Sequence, residues 1–326
     1  MAKLPQILTD FGSQLGRYKE PLEFQRLQQH SFWTFDEVDV SKDVQYIFTV
    51  VDENSKHGIL ETLKLFTIYE TKADSFWSNV KEMFPDPDIK AMAALFSGVE
   101  ASVHRNAYKL LNELMNKHDD DFYNEYKQSD FLVERMNFID DCLENGSKLE
   151  QLASLCFAEG VILFSNFAFL MSFRANGDKL LPNVGNVIKF SSSDEDYHNK
   201  ASSWLFRTLN NELTELGQED PDIKDKVIKM ANVVKEHEFK IIESIFSKGP
   251  IPTITEEELK TFILTRIDIC LTRMGFDPMY NIKNDVVAKW FDEIMTRQQN
   301  NDFFDGQGSG YSRGWKKSDY IWKGLK

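Results

Sequence analysis

The stretch F-S-G-V-E-A-S-V-H-R-N-A-Y (residues 96–108) decides the fold class, because it places a carboxylate and an imidazole inside an apolar helical segment. Glu100 and His104 are four residues apart, so they lie on one face of a helix that turns every 3.6 residues. A buried charge is costly unless it is paired or binds a metal. The stretch therefore predicts a helix with one face directed at a metal ion.

Three other stretches place acidic or histidine side chains among apolar residues in the same way. They are L-K-L-F-T-I-Y-E (63–70) with Glu70, C-F-A-E-G-V-I-L-F (156–164) with Glu159, and S-S-S-D-E-D-Y-H-N-K (191–200) with Asp194, Glu195 and His198. Two of the four stretches offer a lone glutamate and two offer a glutamate with a histidine, which is how helical bundles build a di-iron or di-manganese site. The sequence therefore predicts two metal ions per chain, iron, manganese or one of each, in a ferritin-like bundle.

Helical periodicity extends over most of the chain, and strand-like alternation is nearly absent, which predicts an all-α fold. We expect helices at about residues 42–84, 87–117, 121–145, 148–175, 185–216, 221–248, 255–274 and 284–299. Residues 1–300 would form a single helical bundle domain. Residues 301–326 lose the periodicity, and we expect them to form a flexible tail that docks on a partner.

Composition excludes several other classes of protein. The net charge of −14 argues against binding to nucleic acid, which requires clustered lysine and arginine. No run reaches the ~18 apolar residues of a membrane span, and the N-terminus has no apolar signal core. Three widely spaced cysteines indicate neither a disulfide framework nor a thiolate metal site. We therefore expect a cytoplasmic protein without a membrane segment.

Several short motifs resemble, in order, those of the small, radical-generating subunit of class I ribonucleotide reductases, over about residues 25–313. They are F-W-T-F-D-E-V-D-V-S-K-D (32–43), L-K-L-F-T with Glu70, His104-x-x-x-Tyr108, A-E-G (158–160), D-E-D-Y-H (194–198) and N-D-F-F-D-G-Q-G-S-G-Y-S (301–312). Residues 96–108 are most similar to phage-type members, which would place the chain in a host cytoplasm.

The resemblance implies a role for each metal-site residue. Glu70, Glu100 and His104 would hold one metal ion, and Glu159, Glu195 and His198 the other, with Glu100 and Glu195 bridging. In most members the second helix carries Glu-x-x-His, whereas Ala101 stands at the usual glutamate position in this chain. Either Glu100 reaches the metal from four residues before His104, or a local π-type bulge restores the register.

The resemblance also implies a radical pathway. Tyr108 would hold a tyrosyl radical, shielded by Phe164 and Phe167 on the apolar helix. His104, Asp194 and Trp33 would form the exit from the metal site, and Tyr311 in the tail would carry the radical to the large subunit. The large subunit would then reduce ribonucleotides to deoxyribonucleotides. We expect the chain itself to form a homodimer.

Two other functions fit a two-metal helical bundle. A two-metal oxidase or oxygenase would oxidise a bound small molecule, and an iron-storage or structural bundle would do no such chemistry. Neither function requires Trp33, Asp194 or Tyr311, so the presence of these three residues favours the radical-generating subunit. The sequence leaves the identity of the metals open.

Overall fold

The computed structural model describes residues 3–176 and 180–305, with side chains at all of these positions except 67, 68, 70, 71 and 296–305. The described part of the chain is helical, which confirms the predicted all-α bundle. Its α-helices are α1 (Glu20–His30), α2 (Ser41–Thr49), α3 (Glu53–Met83), α4 (Pro87–Val99), α5 (Arg105–Leu114), α6 (Asp120–Asn124), α7 (Asp130–Asn145), α8 (Lys148–Phe157), α9 (Phe164–Ala175), α10 (Pro182–Glu215), α11 (Ile223–Ile245), α12 (Glu256–Met274) and α13 (Val286–Asp305).

The predicted boundaries hold to within a few residues for most helices. The helix expected at 121–145 is instead divided into α6 and α7, and α13 continues to Asp305. The helix expected at 42–84 is broken into α2 and α3, because Asp52 caps α3 by accepting a hydrogen bond from the backbone N–H of Ser55. Helix α1 was not predicted. It buries only Pro21 and Gln28, and its sequence has no apolar stripe from which a helix could have been predicted.

The centre of the bundle is the continuous helical stretch Lys148–Ala175, which comprises α8 and α9 and the turn between them. It is long and apolar enough to cross a membrane, but 94% of its apolar window is buried inside the protein, as in the core helix of a soluble protein. Ser147 and Glu150 form a reciprocal capping box at its start. Helices α10, α11 and α12 pack around this core helix.

Two π-helical segments interrupt the α-helices of the core. The first, Glu100–His104, joins α4 to α5, and the second, Ala158–Ile162, joins α8 to α9. Two buried arginines bind carbonyl groups of the second segment: Arg266 Nε donates to Gly160 O at 2.9 Å, and Arg135 donates to Ile162 O at 3.1 Å. Since π-helical turns are rare and are frequent at functional sites, both segments point to the chemistry of this protein.

Helix α10 begins at a position fixed by a side chain from α2. Asp43 accepts hydrogen bonds from the backbone N–H groups of Asn183 and Val184, at 2.6 and 2.8 Å. The preceding residue, Leu181, adopts a left-handed conformation with φ of 54°, so the chain turns sharply into the helix. A carboxylate at a helix N-terminus is favourable for the helix dipole. This contact positions the helix that carries Asp194, Glu195 and His198.

Candidate metal centre

Three helical elements bring carboxylate and imidazole groups together in the core. Glu100 comes from the first π-helical segment, Glu159 from the second, and Glu195 and His198 from α10. One ligand atom of each lies within 4.8 Å of one ligand atom of every other, and all four side chains are buried. These are the donor types and the spacing that a metal ion requires.

The π-helical turn accounts for the unusual spacing of Glu100 and His104. A π-helix has a wider turn than an α-helix and accommodates one extra residue, so a glutamate four positions before the histidine returns to its face. Glu100 Oε2 lies 3.0 Å from His104 Nδ1. Of the two explanations considered for the spacing, the structure therefore has the π-type bulge.

The carboxylate of Glu100 lies between the two histidines. Its second oxygen, Oε1, is 2.6 Å from Nδ1 of His198. Glu195 is placed in the same way, with Oε1 3.1 Å from Nδ1 of His104 and Oε2 3.4 Å from Nδ1 of His198. Two carboxylates thus span the gap between two imidazoles.

Glu159 is held from the opposite side by an indole. Its Oε2 lies 3.6 Å from His198 Nδ1, and its Oε1 accepts a hydrogen bond from Nε1 of Trp77 at 2.6 Å. The Trp77 ring also packs edge-on against His198, with centroids 5.6 Å apart. Trp77 therefore orients two side chains of the cluster at once.

A second layer of polar groups fixes the tautomers of both histidines. His104 Nε2 donates to Asp194 Oδ2 at 3.0 Å, because a carboxylate only accepts. Gln28 donates from Nε2 to Asp194 Oδ1 at 2.8 Å, which turns its amide oxygen towards Nε2 of His198 at 3.0 Å. In both histidines Nε2–H therefore donates to a group outside the cluster, and Nδ1 points to the glutamates inside it. Metal-binding histidines commonly have this arrangement.

Asp194 also connects the cluster to Trp33. The indole Nε1 of Trp33 donates to Asp194 Oδ2 at 2.8 Å, and the indole ring lies 5.9 Å from the His104 ring. Trp33 is 3% exposed, and the other side chains of this chain of hydrogen bonds are fully buried. An unbroken chain of three buried side chains thus runs from His104 through Asp194 to Trp33.

The electrostatics of the metal-free cluster follow from its burial. Burial opposes the protonation of His104, but Glu100 and its other carboxylate neighbours raise its pKa well above the usual value, and the pKa of His198 is raised in the same way. Burial alone would raise the pKa of Glu100, yet the two histidines hold it well below the usual range. Burial and the neighbouring Glu195 raise the pKa of Glu159.

The residues present fit a pair of divalent cations. The carboxyl groups of Glu100, Glu159 and Glu195 are fully or almost fully buried, and no lysine or arginine of the described residues forms an ion pair with them. Without metals, protons on the two histidines and on Glu159 offset the negative charge of the cluster. Oxygen donors and imidazole together suit iron and manganese. The donor set therefore fits bound metal cations, since no lysine or arginine of the described residues pairs with these carboxyl groups.

Tyr108 lies next to the cluster on the His104 side. Its ring centroid is 6.5 Å from that of His104, and the side chain is fully buried. Phe66 packs 4.3 Å from the Tyr108 ring and 5.5 Å from Phe167, while Phe164 packs against Phe167. The apolar shell around the phenol therefore begins with Phe66, which the sequence did not single out.

Two of the predicted site residues cannot be placed in this geometry. The backbone of Glu70 belongs to α3, but its side chain lies outside the described part of the structure, and Tyr311 lies wholly beyond the described residues. The sequence analysis in turn missed Gln28 and Trp77. Gln28 gave no signal, because a glutamine on a polar helix looks exposed, whereas Trp77 falls seven residues after Glu70 and so on nearly the same helix face.

Removing the Gln28 amide should weaken metal binding, because groups that orient metal-binding histidines typically contribute 10–100-fold in affinity. We expect Gln28→Leu to bind one of its two metal ions about 10-fold more weakly. Titration with Mn(II) under equilibrium dialysis measures this. Gln25→Leu is the matched control, since Gln25 lies on the same helix and donates only to the carbonyl of Asp88. Equal affinities of the two variants would contradict the role given to Gln28.

Metal binding should release at least two protons per chain at neutral pH, because His104 and His198 must lose theirs before Nδ1 can bind. The raised pKa values keep both histidines protonated in the metal-free chain, so affinity should rise as the pH increases from 6 to 8. Calorimetric titration with Mn(II) in buffers of different ionisation enthalpy counts the protons. A binding enthalpy that does not depend on the buffer would refute this expectation.

Comparison with known proteins agrees with this geometry. The family model described as "Ribonucleotide reductase, small chain" matches residues 16–286. The chain is 23% identical to a probable ribonucleoside-diphosphate reductase small subunit of Invertebrate iridescent virus 3, with 90% of this chain and 82% of the relative covered. It is 24% identical to the ribonucleoside-diphosphate reductase subunit M2 of Danio rerio, over 91% of this chain and 74% of the relative.

Two solved structures share the fold. The ribonucleotide reductase R2 subunit from Clostridium botulinum has a TM-score of 0.77 at 16% identity, covering 90% of this chain and 99% of that one. The dimanganese(II) NrdF of Streptococcus sanguinis has a TM-score of 0.76 at 19% identity, covering 88% of this chain and 98% of that one. The family match covers most of the chain and the relatives are both viral and cellular. The chain therefore belongs to the ribonucleotide reductase small-chain family, as the small subunit of a ribonucleoside-diphosphate reductase.

Proposed function

We propose that this chain binds two metal ions and uses them to generate a radical on Tyr108 that is passed to a large subunit. Glu70, Glu100 and His104 would hold one ion, and Glu159, Glu195 and His198 the other. The positions of Glu100 and Glu195 between the two Nδ1 atoms support bridging by both. The ions are iron, manganese or one of each.

When bound, two redox-active metal ions would react with O₂ and supply the oxidising equivalent. Tyr108 would then give up one electron and its phenolic proton. Full burial excludes bulk water from the phenol, and the ring of Phe66, whose centroid is 4.3 Å from that of Tyr108, presents only C–H groups to it. A phenyl ring is hard to oxidise, so this contact favours a long lifetime of the radical.

The observation that carries this proposal is the hydrogen-bonded chain His104–Asp194–Trp33. Asp194 accepts from both rings through the same oxygen atom, so a proton held by either ring is balanced by one carboxylate. Trp33 would pass the radical on to Tyr311 in the tail. A two-metal oxidase acting on a small molecule is the alternative function, and it would have no use for this exit.

Family membership supports a proposal for the partners of this chain, and its composition supports one for its location. We infer that the large subunit binds residues 301–326, that residues 1–300 form one bundle domain, and that two chains pair in a homodimer. The buried core helix and the acidic surface support a cytoplasmic protein, within a host cell if the likeness to phage-type members holds. The acidic composition is also unsuited to nucleic acid.

Electron paramagnetic resonance tests the proposed function directly. The metal-free chain is loaded with Fe(II), or with Mn(II) in a parallel sample, and exposed to O₂, after which a tyrosyl signal should appear. The loaded chain should support deoxynucleotide formation by a large subunit. Metal uptake without any radical, combined with turnover of an added small molecule, would instead favour the two-metal oxidase.

The tail should perform two separable tasks, docking and radical transfer. Tyr311→Phe removes one hydroxyl among several contacts, so affinity for the large subunit should change by less than about threefold, while turnover collapses. Truncation after Asn300 should abolish both, and the tyrosyl radical should still form. Subunit affinity and deoxynucleotide formation are measured for both variants. Normal turnover by Tyr311→Phe would make Trp315 or Tyr320 the better relay residue.

A further inference from the structure

Two buried cysteines meet beside the metal centre, and the proposed function does not use them. Cys156 lies on α8 and Cys270 on α12, and neither side chain is exposed. Both sulfur atoms lie 3.3 Å from the same atom, Nδ2 of Asn199. Cys270 Sγ is 3.6 Å from the carbonyl oxygen of Cys156, and Cys156 Sγ is 4.0 Å from the carbonyl oxygen of Cys270. Each sulfur therefore packs against the backbone of the other cysteine.

A glycine makes this approach possible. A Cβ atom at Gly160 would lie 2.3 Å from Cys270 Sγ and 2.3 Å from Asn199 Nδ2, so any other residue would displace these two side chains. Gly160 directly follows Glu159, and Asn199 directly follows His198. The cysteine pair thus contacts the chain neighbours of two proposed metal ligands.

The charges around the pair distinguish its two thiols. Burial raises the pKa of Cys156 well above its usual value, whereas the pKa of Cys270 is lowered despite burial by its contact with Cys156 and by Arg266 and Arg273. Arg266 is itself 5% exposed and has no carboxylate within ion-pair distance among the described residues. A thiolate at Cys270 would serve as its counter-charge. The nearby arginines thus favour the thiolate of Cys270, beside the thiol of Cys156.

We propose that Cys156 and Cys270 form a redox-active pair that hydrogen peroxide converts to a disulfide. The Cys270 thiolate attacks one oxygen of the peroxide, the O–O bond breaks, and hydroxide leaves, so that Cys270 becomes a sulfenic acid. The sulfur of Cys156 then attacks that of Cys270, the S–S bond forms, and hydroxide leaves as water with the Cys156 proton. The two thiols lose two electrons and two protons in total, and the peroxide becomes two molecules of water.

The suggested role of the pair rests on the proposed function, whereas its oxidation does not. A centre that reacts with O₂ is a source of partly reduced oxygen whenever the electron supply is incomplete. Cys156 and Cys270 lie behind the segment that carries Glu159, where they can consume peroxide before it oxidises the ligands or the aromatic shell. The pair would therefore act as a local reductant.

The test uses the full chain, reduced and free of metal, without the large subunit. After treatment with hydrogen peroxide and digestion under non-reducing conditions, mass spectrometry should find the Cys156 peptide linked to the Cys270 peptide, and free thiols should fall from three to one. Cys142→Ser should retain the link, since Cys142 is buried elsewhere on α7. Cys156→Ser should leave a sulfenic acid at Cys270 that dimedone traps.

A second measurement is needed in case peroxide enters the buried core too slowly to react. The folded chain is equilibrated with mixtures of oxidised and reduced dithiothreitol, and circular dichroism confirms that it stays folded. A single midpoint for the 156–270 link supports the pair. Absence of the link at every ratio, or peroxide oxidation to sulfinic acid without linkage, would overturn the proposal. Since no metal is present, neither result bears on the radical chemistry, which the resonance experiment tests separately.

Discussion

Replacing Tyr108 by phenylalanine should abolish ribonucleotide reduction and the tyrosyl signal, while both metal ions remain bound. The substitution removes only the hydroxyl, and the ring keeps its packing against Phe66. Stability should therefore change by about 1 kcal/mol or less. Without an O–H group the side chain cannot lose a proton and an electron together. We expect turnover to fall by at least about 1000-fold, equivalent to about 4 kcal/mol.

Tyr69→Phe is the matched control for this experiment. Tyr69 is also a buried tyrosine, and burial raises its pKa to a value above the ordinary range. Its ring faces Arg135, 4.6 Å from the guanidinium carbon, and it takes no part in the proposed relay. Metal content, spin concentration and deoxynucleotide formation are compared for the two variants and the parent chain. A tyrosyl signal that survives in Tyr108→Phe and disappears in Tyr69→Phe would move the radical to Tyr69.

Asp194→Asn should separate radical formation from radical transfer. Asp194 accepts from Trp33, His104 and Gln28, and an asparagine has only one oxygen with which to accept. In either orientation of the asparagine amide, its NH₂ group would face a hydrogen-bond donor. The chain of hydrogen bonds must therefore break. Metal affinity should fall about 10–100-fold, as expected for a partner of a ligand histidine. At saturating metal, turnover should still fall by at least about 100-fold, or about 2.7 kcal/mol.

The readouts for Asp194→Asn distinguish transfer from folding. At saturating metal the tyrosyl signal should form in near-parental yield, and subunit affinity should be unchanged. Asp196→Asn is the control, because Asp196 lies on the same helix and pairs with Arg273 and Lys200 on the side away from Trp33. If Asp194→Asn turns over normally at full metal loading, the radical does not leave through this carboxylate.

The sequence alone was sufficient for the fold class and for most of the candidate site. Local signals determine helices, so α10 and the core helix were expected close to their observed limits. Glutamates and histidines inside apolar helices are costly, so Glu100, Glu159, Glu195, His104 and His198 stood out without any coordinates. The structure brings these five together in the core, while the assignment of each to a metal ion stays a prediction.

Contacts between distant segments could be decided only by the tertiary structure. Gln28 contacts His198, which is 170 positions away in the chain, and Trp77 contacts Glu159, which is 82 positions away. Neither contact can be predicted from the type of residue. The choice between an α-helical and a π-helical turn at Glu100 was open in the sequence, because packing around the cluster, and not local propensity, selects the rarer π-helical turn. The meeting of Cys156 with Cys270 likewise depends on Gly160, whose missing side chain matters only when α12 lies against it.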